Sequence, residues 1–115
     1  MAELGAEDQK IITLARSARA LTGATEGAAV RDTDGRTYTA ATVSLPSLRL
    51  TALQAAVAAA VASAAEGLEA AAVVTSATEL HAESVAAVRD LGRSAPVFLV
   101  DPTGAVRAVD GTEGQ

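Results

Sequence analysis

Residues 27–75 constrain the fold more tightly than any other part of the chain. Two β-prone runs meet at Asp32-Thr33-Asp34-Gly35, an alanine-rich stretch comes next, and the segment closes on the unbroken apolar run Ala70-Ala71-Ala72-Val73-Val74. Asp-Gly between β-prone segments is a strong hairpin signal, so residues 27–32 and 36–43 are predicted as two antiparallel strands. Pro46 interrupts the extended run. A helix is expected over 51–66, with Leu53, Val57 and Val61 on one stripe and Ala52, Ala55, Ala56, Ala59 and Ala60 covering most of the rest. Apolar character nearly all round predicts a buried helix. Gly67 suits a C-terminal cap, and the continuous apolar run over 69–75 predicts a strand inside the sheet, covered on both faces.

The flanking segments add periodic helices and short strands. Ile11, Leu14, Ala15, Ala18 and Leu21 recur at helical spacing, with Glu7 and Asp8 at the start and Arg16 and Arg19 toward the end, predicting a helix over 7–22. A second amphipathic helix is expected over 78–91, with Val85, Val88 and Leu91 inward and Gly92 ending it. Strands at 96–101 and 105–110 flank a Pro102-Thr103-Gly104 turn, and residues 111–115 read as a loose tail. The predicted order is α-β-β-α-β-α-β-β. At 115 residues, with no repeat and no linker, residues 1–115 are expected to form one domain.

Composition narrows the function classes. Half the residues are hydrophobic but only 2% are aromatic, and alanine makes up about a quarter of the chain, so each apolar side chain buries little area. So thin a core favours completion against further copies. The net charge is −5, and Lys10 and the arginines are scattered rather than gathered on a stripe, which argues against nucleic acid and anionic membranes as partners. No apolar run approaches the ~20 residues needed to span a bilayer. The acidic start, Met1 to Lys10, has no basic region followed by an apolar stretch, so a cytoplasmic location is expected. With no Cys and one His, disulfides and thiolate ligands are excluded and a metal finds at most one imidazole.

The segment GAAVRDTDGRTYTAATV, the alanine-rich helix and the AAAVV strand together resemble the small cytidine deaminases of the zinc-dependent nucleoside deaminase superfamily. They match that family's VGAAL…DG…GxNVEN…CAE…AIAVV pattern in residue type and spacing, and the likeness extends over nearly the whole chain. It implies an α/β, three-layer α-β-α fold with a five-stranded mixed sheet and helices on both faces. It also implies a homodimer or homotetramer packed through the alanine-rich helix, residues 52–65.

In the family a Cys or His and, two residues later, a Glu open the central helix, while Cys-x-x-C opens the next one. Three ligands hold zinc, which lowers the pKa of its bound water from ~15.7 toward ~7 and so supplies the hydroxide that attacks the pyrimidine. Carried onto this chain, the first ligand position is Thr51, the glutamate position is Leu53, and the Cys-x-x-C pair falls on His81 and Ser84. Neither Thr51 nor Leu53 can play the family's role. The residues that hold the ribose hydroxyls correspond to Thr42 and Ser44, with Leu45 after them, and no aromatic lies within 23–26 to stack on a base. No metal, cofactor or catalytic residue is therefore expected, only a remnant pocket at Thr42, Ser44 and Leu45.

Structural roles account for the same positions. Thr51-Ala52-Leu53-Gln54 has the form of a capping box, Leu53 continues the core stripe, and Ser76 to Glu79 has capping-box spacing as well. His81 shares a helical face with Val85 and Val88, so it is expected to be a hydrogen-bonded core residue. The chain has no G-x-S-x-G, Walker or G-x-G-x-x-G motif, and the pairs Glu7/Asp8 and Asp32/Asp34 suit a helix start and a turn. Three readings are open: a catalytically silent assembly or partner-binding module, a cytidine deaminase with an unorthodox site, and a sensor that binds a nucleoside or another metabolite.

Overall fold

The computed structural model of the protein describes residues 4–111. Of the predicted loose tail, residues 112–115 lie outside the described residues. Helix α1, Ala6–Thr22, carries Glu7 and Asp8 in its first turn and Arg19 in its last, where they oppose the helix dipole. Gly23, at φ +67°, ends it by donating its backbone N–H to the Arg19 carbonyl. Ile11, Ile12 and Ala15 are buried, but Leu21, expected on the same stripe, sits in the final turn and is exposed.

Strands β1 (Gly27–Asp32) and β2 (Thr37–Ala41) form the predicted hairpin, with Val30 opposite Tyr38. Asp32 ties the turn: one carboxylate oxygen accepts the amides of Asp34 and Arg36 at 2.9 Å each, and the other accepts the Tyr38 hydroxyl at 2.8 Å. Burial alone would raise the Asp32 pKa, but the hydrogen bonds from Tyr38 and the two amides outweigh it and hold the carboxyl below its ordinary value.

A second hairpin comes next, β3 (Val43–Leu45) and β4 (Leu48–Leu50), outside the main sheet. The sequence suggests only an interruption at Pro46, yet Pro46-Ser47 forms the turn between these strands. Helix α2 is Ala52–Ala62, shorter than the predicted 51–66, because the chain turns at Ser63 and at Ala64, whose φ is +68°. Then come β5 (Leu68–Val74), α3 (Ala82–Leu91), β6 (Val97–Val100) and β7 (Val106–Asp110).

The main sheet has the order β2-β1-β5-β6-β7, with β5 central as expected. β5 and β6 run parallel and every other neighbouring pair antiparallel, so the five-stranded sheet is mixed. Side chains alternate across it. Ala29, Ala70, Ala72, Val74, Phe98 and Val100 pack with α1 residues on one face, while Ala28, Val30, Ala71, Val73, Val97 and Leu99 pack with α2 and α3 on the other. This is the α/β, α-β-α layering the sequence predicts.

Two contacts of the helices with the sheet shape the cleft side of the molecule. Gly27 lies directly beneath α1, where a Cβ would collide with the Ala15 carbonyl and the Arg19 amide, so only glycine lets the helix approach this closely. Helix α2 buries Ala52, Leu53, Ala56, Val57 and Ala60 but leaves Ala58, Val61 and Ala62 uncovered, Val61 by 55%. The expectation of a wholly buried helix fails on that outer face, because the sheet and α3 cover only one side. Among the described residues, no helix is long and apolar enough to cross a membrane.

Candidate functional site

A cleft of about 580 Å³ opens where the start of β1, the end of β2, the β3–β4 hairpin, the α2 N-terminus and the β5–α3 loop converge. Two helix beginnings meet here. At the first, Thr51 caps α2: its hydroxyl accepts the Gln54 amide at 3.1 Å, and the Gln54 side-chain carbonyl accepts the Thr51 amide at 2.9 Å. This is the capping box read from the sequence. The Ser84 hydroxyl, buried on α3, donates to the Thr51 hydroxyl at 2.7 Å. Both lone pairs of Thr51 are thereby occupied.

The second beginning belongs to α3, and it departs from expectation. The helix starts at Ala82 with His81 as its N-cap, and no side chain caps it. The Ser76 to Glu79 capping box does not form. Instead the Thr75 hydroxyl accepts the Ala77 amide at 3.1 Å and the chain bends there, leaving Glu79 exposed.

His81 is consequently not a core residue. Standing ahead of the helix rather than within it, it shares no helical face with Val85 and Val88. Its side chain is 47% exposed, and Nε2 lies 3.2 Å from a carboxylate oxygen of Glu26. The Glu26 side chain, by contrast, is only 8% exposed. Burying a carboxylate is costly unless partners repay the lost hydration, and the imidazole of His81 stands against it.

The backbone explains how Glu26 is held. Its amide donates to the Thr42 hydroxyl at 3.1 Å, and the Thr42 amide donates back to the Glu26 carbonyl at 3.1 Å. The hydroxyls of Thr42 and Thr25 share a further hydrogen bond of 3.2 Å. Glu26 has the same parity as Ala28 and Val30, which pack on the α2 and α3 side, so its side chain projects to the cleft face.

Thr51, Ser84 and His81 thus come together at the two helix beginnings. Leu53 does not join them: it is fully buried in the core, as its stripe predicts. Of the remnant-pocket residues, Thr42 and Ser44 line the cleft, but Leu45 does not. It lies at the end of β3, beside the hairpin turn, and is 55% exposed. Motif spacing does not single out Glu26. The available signal is a charged residue directly ahead of the apolar run Gly27-Ala28-Ala29-Val30, where the family pattern carries Val.

Arg19 and Arg49 supply positive charge to the lining, with Arg19 Nε donating to the Thr25 carbonyl at 3.1 Å. No aromatic lines the cleft; Tyr38 and Phe98 both lie elsewhere. Among the described residues, no three His, Cys, Asp or Glu side chains are grouped so as to hold a metal ion.

Residues 4–104 match the family described as cytidine deaminase-like. Among solved structures, the cytidine deaminase from Burkholderia pseudomallei superposes with a TM-score of 0.77 at 23% identity, over 89% of this chain and 90% of that one. The cytidine deaminase from Mycobacterium leprae gives 0.68 at 20% identity, over 89% and 92%. No curated protein sequence matches the chain. At these identities the structural likeness speaks for the fold.

Proposed function

The chain belongs to the cytidine deaminase-like family, and on that footing we propose that it is a catalytically silent, zinc-free member whose cleft binds a small polar ligand without transforming it. One observation carries this reading: the Thr51 and Ser84 hydroxyls, at two of the family's three ligand positions, are bonded to each other at 2.7 Å while Thr51 also caps α2. Zinc does not fit such a donor set. Protein zinc sites rely on Cys, His and carboxylate donors, and of these three positions only His81 is of that kind. The position of the family's proton-moving glutamate is Leu53, which faces the core. No route to a metal-activated water or to proton transfer at a pyrimidine is built from these groups.

The remaining cleft supports binding. It has room for a small metabolite and is lined by hydroxyls, two guanidinium groups and a buried carboxylate. Metal analysis of purified protein is the decisive measurement, with no stoichiometric zinc expected and no ammonia released from cytidine. One zinc per chain together with cytidine turnover would overturn the proposal and restore an active deaminase with an unorthodox site. Thermal-shift screening against nucleosides and polar metabolites tests binding, since a ligand at a hundred times its Kd stabilises the folded state by about 2.7 kcal/mol.

A second reading concerns assembly. The uncovered apolar face of α2, with Ala58, Val61 and Ala62, suits close packing against a second copy through small residues, giving a homodimer or homotetramer. A monomer by light scattering at micromolar concentration would remove it.

A further inference from the structure

We propose that Glu26 is the recognition group of the cleft, and that the ligand class is a small ampholyte with a guanidinium or amidinium head and an oxyanion tail. The inference rests on the reading of the cleft as a non-catalytic binding site. It starts from a charge placed where a fold gains nothing from it. Glu26 precedes the apolar run Gly27 to Val30 of β1, and its carboxylate is buried on the cleft face with His81 Nε2 at 3.2 Å. A carboxylate offers about four acceptor positions, so most of its capacity is left for a ligand entering the cleft.

The donor that suits it is a planar N–H cation. Guanidinium and amidinium groups are weakly hydrated and present several N–H donors to a carboxylate at once, whereas an ammonium gives up more hydration on burial. Opposite charge comes from Arg19 and the exposed Arg49, whose Nε atoms reach only the carbonyls of Thr25 and Leu45 at 3.1 and 3.4 Å. Among the described residues their terminal N–H groups make no hydrogen bond, which leaves them for a carboxylate or phosphate. The lining has no aromatic face, so a base is not selected by stacking.

The test uses matched probes and amide shifts of the folded full chain, read at Glu26, Thr42, Thr51 and His81. 4-Guanidinobutyrate carries both charges, 4-ureidobutyrate replaces the cation by a neutral isostere, and n-butylguanidinium lacks the anion. Millimolar or tighter binding of 4-guanidinobutyrate is expected, with each of the other two at least about tenfold weaker, because a paired charge is lost. Glu26→Gln should abolish the preference for guanidino over ureido, and Arg49→Gln the preference for the tailed probe. Neither change removes a hydrogen bond between backbone groups, Arg49→Gln giving up only the long Nε donation to the Leu45 carbonyl, and the amide spectrum itself reports folding.

Equal binding of the guanidino and ureido probes, or an undiminished preference in Glu26→Gln, overturns the proposal. Cytidine is run alongside. Shifts from cytidine alone would overturn the ligand class while leaving the cleft a binding site. Silence from all four probes would remove the binding reading with it.

Discussion

The two helix beginnings that face the cleft differ in how their backbone amides are satisfied. At α2 the chain closes upon itself: Thr51 and Gln54 exchange hydrogen bonds, and Ser84 donates to Thr51. At α3 no side chain caps the first turn, and His81 turns instead toward Glu26. The Ser84 hydroxyl spends its proton on Thr51, whose two lone pairs are then filled. One helix beginning carries ordinary helix-end chemistry, and at the other the polar groups that face the cleft are His81 and Glu26.

The greatest change should come from reversing that division. Combining Thr51→Cys, His81→Cys and Ser84→Cys places three thiols at the two helix beginnings, and about one bound zinc per chain is expected by metal analysis. Absence of zinc in a folded triple variant would mean that the two helix beginnings do not frame a common point.

Next in size is Leu53→Glu, which restores the family's residue type without a metal. A carboxylate buried in this core, without a partner, should cost at least about 3 kcal/mol in urea unfolding. A loss below about 1 kcal/mol would place position 53 beside the cleft rather than in the core.

The capping box gives a smaller effect. Thr51→Ala should cost about 1 to 2 kcal/mol, since it removes a cap and leaves the Ser84 hydroxyl buried without its acceptor. Combining it with Ser84→Ala should show a coupling of about 0.5 kcal/mol or more, whereas strict additivity would dissolve the link between the two helices.

The least change belongs to α3, where Glu83 is the acid of the first turn and α2 has none. Glu83→Gln should lower stability by about 0.3 to 1 kcal/mol at low salt and by less at high salt. A salt-independent loss would point to a contact other than the helix end.

How much could be read from the sequence was set by how local the signal is. The Asp32-to-Gly35 turn and the Thr51-to-Gln54 box lie within four consecutive residues each, and both form as read. The central position of β5 was legible in its apolar run, because a strand covered on both faces needs no polar side. Ser76 to Glu79 had the same local spacing as the true capping box, yet the chain bends at Ser76 and again at Thr78 and Glu79, and the helix begins later. Moving that start changed the role of His81 from a residue within a helix to one ahead of it. Its pairing with Glu26 joins residues far apart in sequence, which no window of periodicity contains. The exposed side of α2 was illegible for a different reason: alanine and valine all round a helix say what tolerates burial, not whether a neighbour covers each face.

Gly27 exerts its influence across the sheet. It is the point where α1 rests flush against the strand, and the next residue back in the chain is Glu26, whose side chain leaves by the opposite face. The rear helix therefore sets the stance of the acid in front, like a heel fixing the angle of a toe. A single methyl added at position 27 would lift the helix and tip the carboxylate, so the chemistry of the cleft is governed in part by a residue that contributes no side chain.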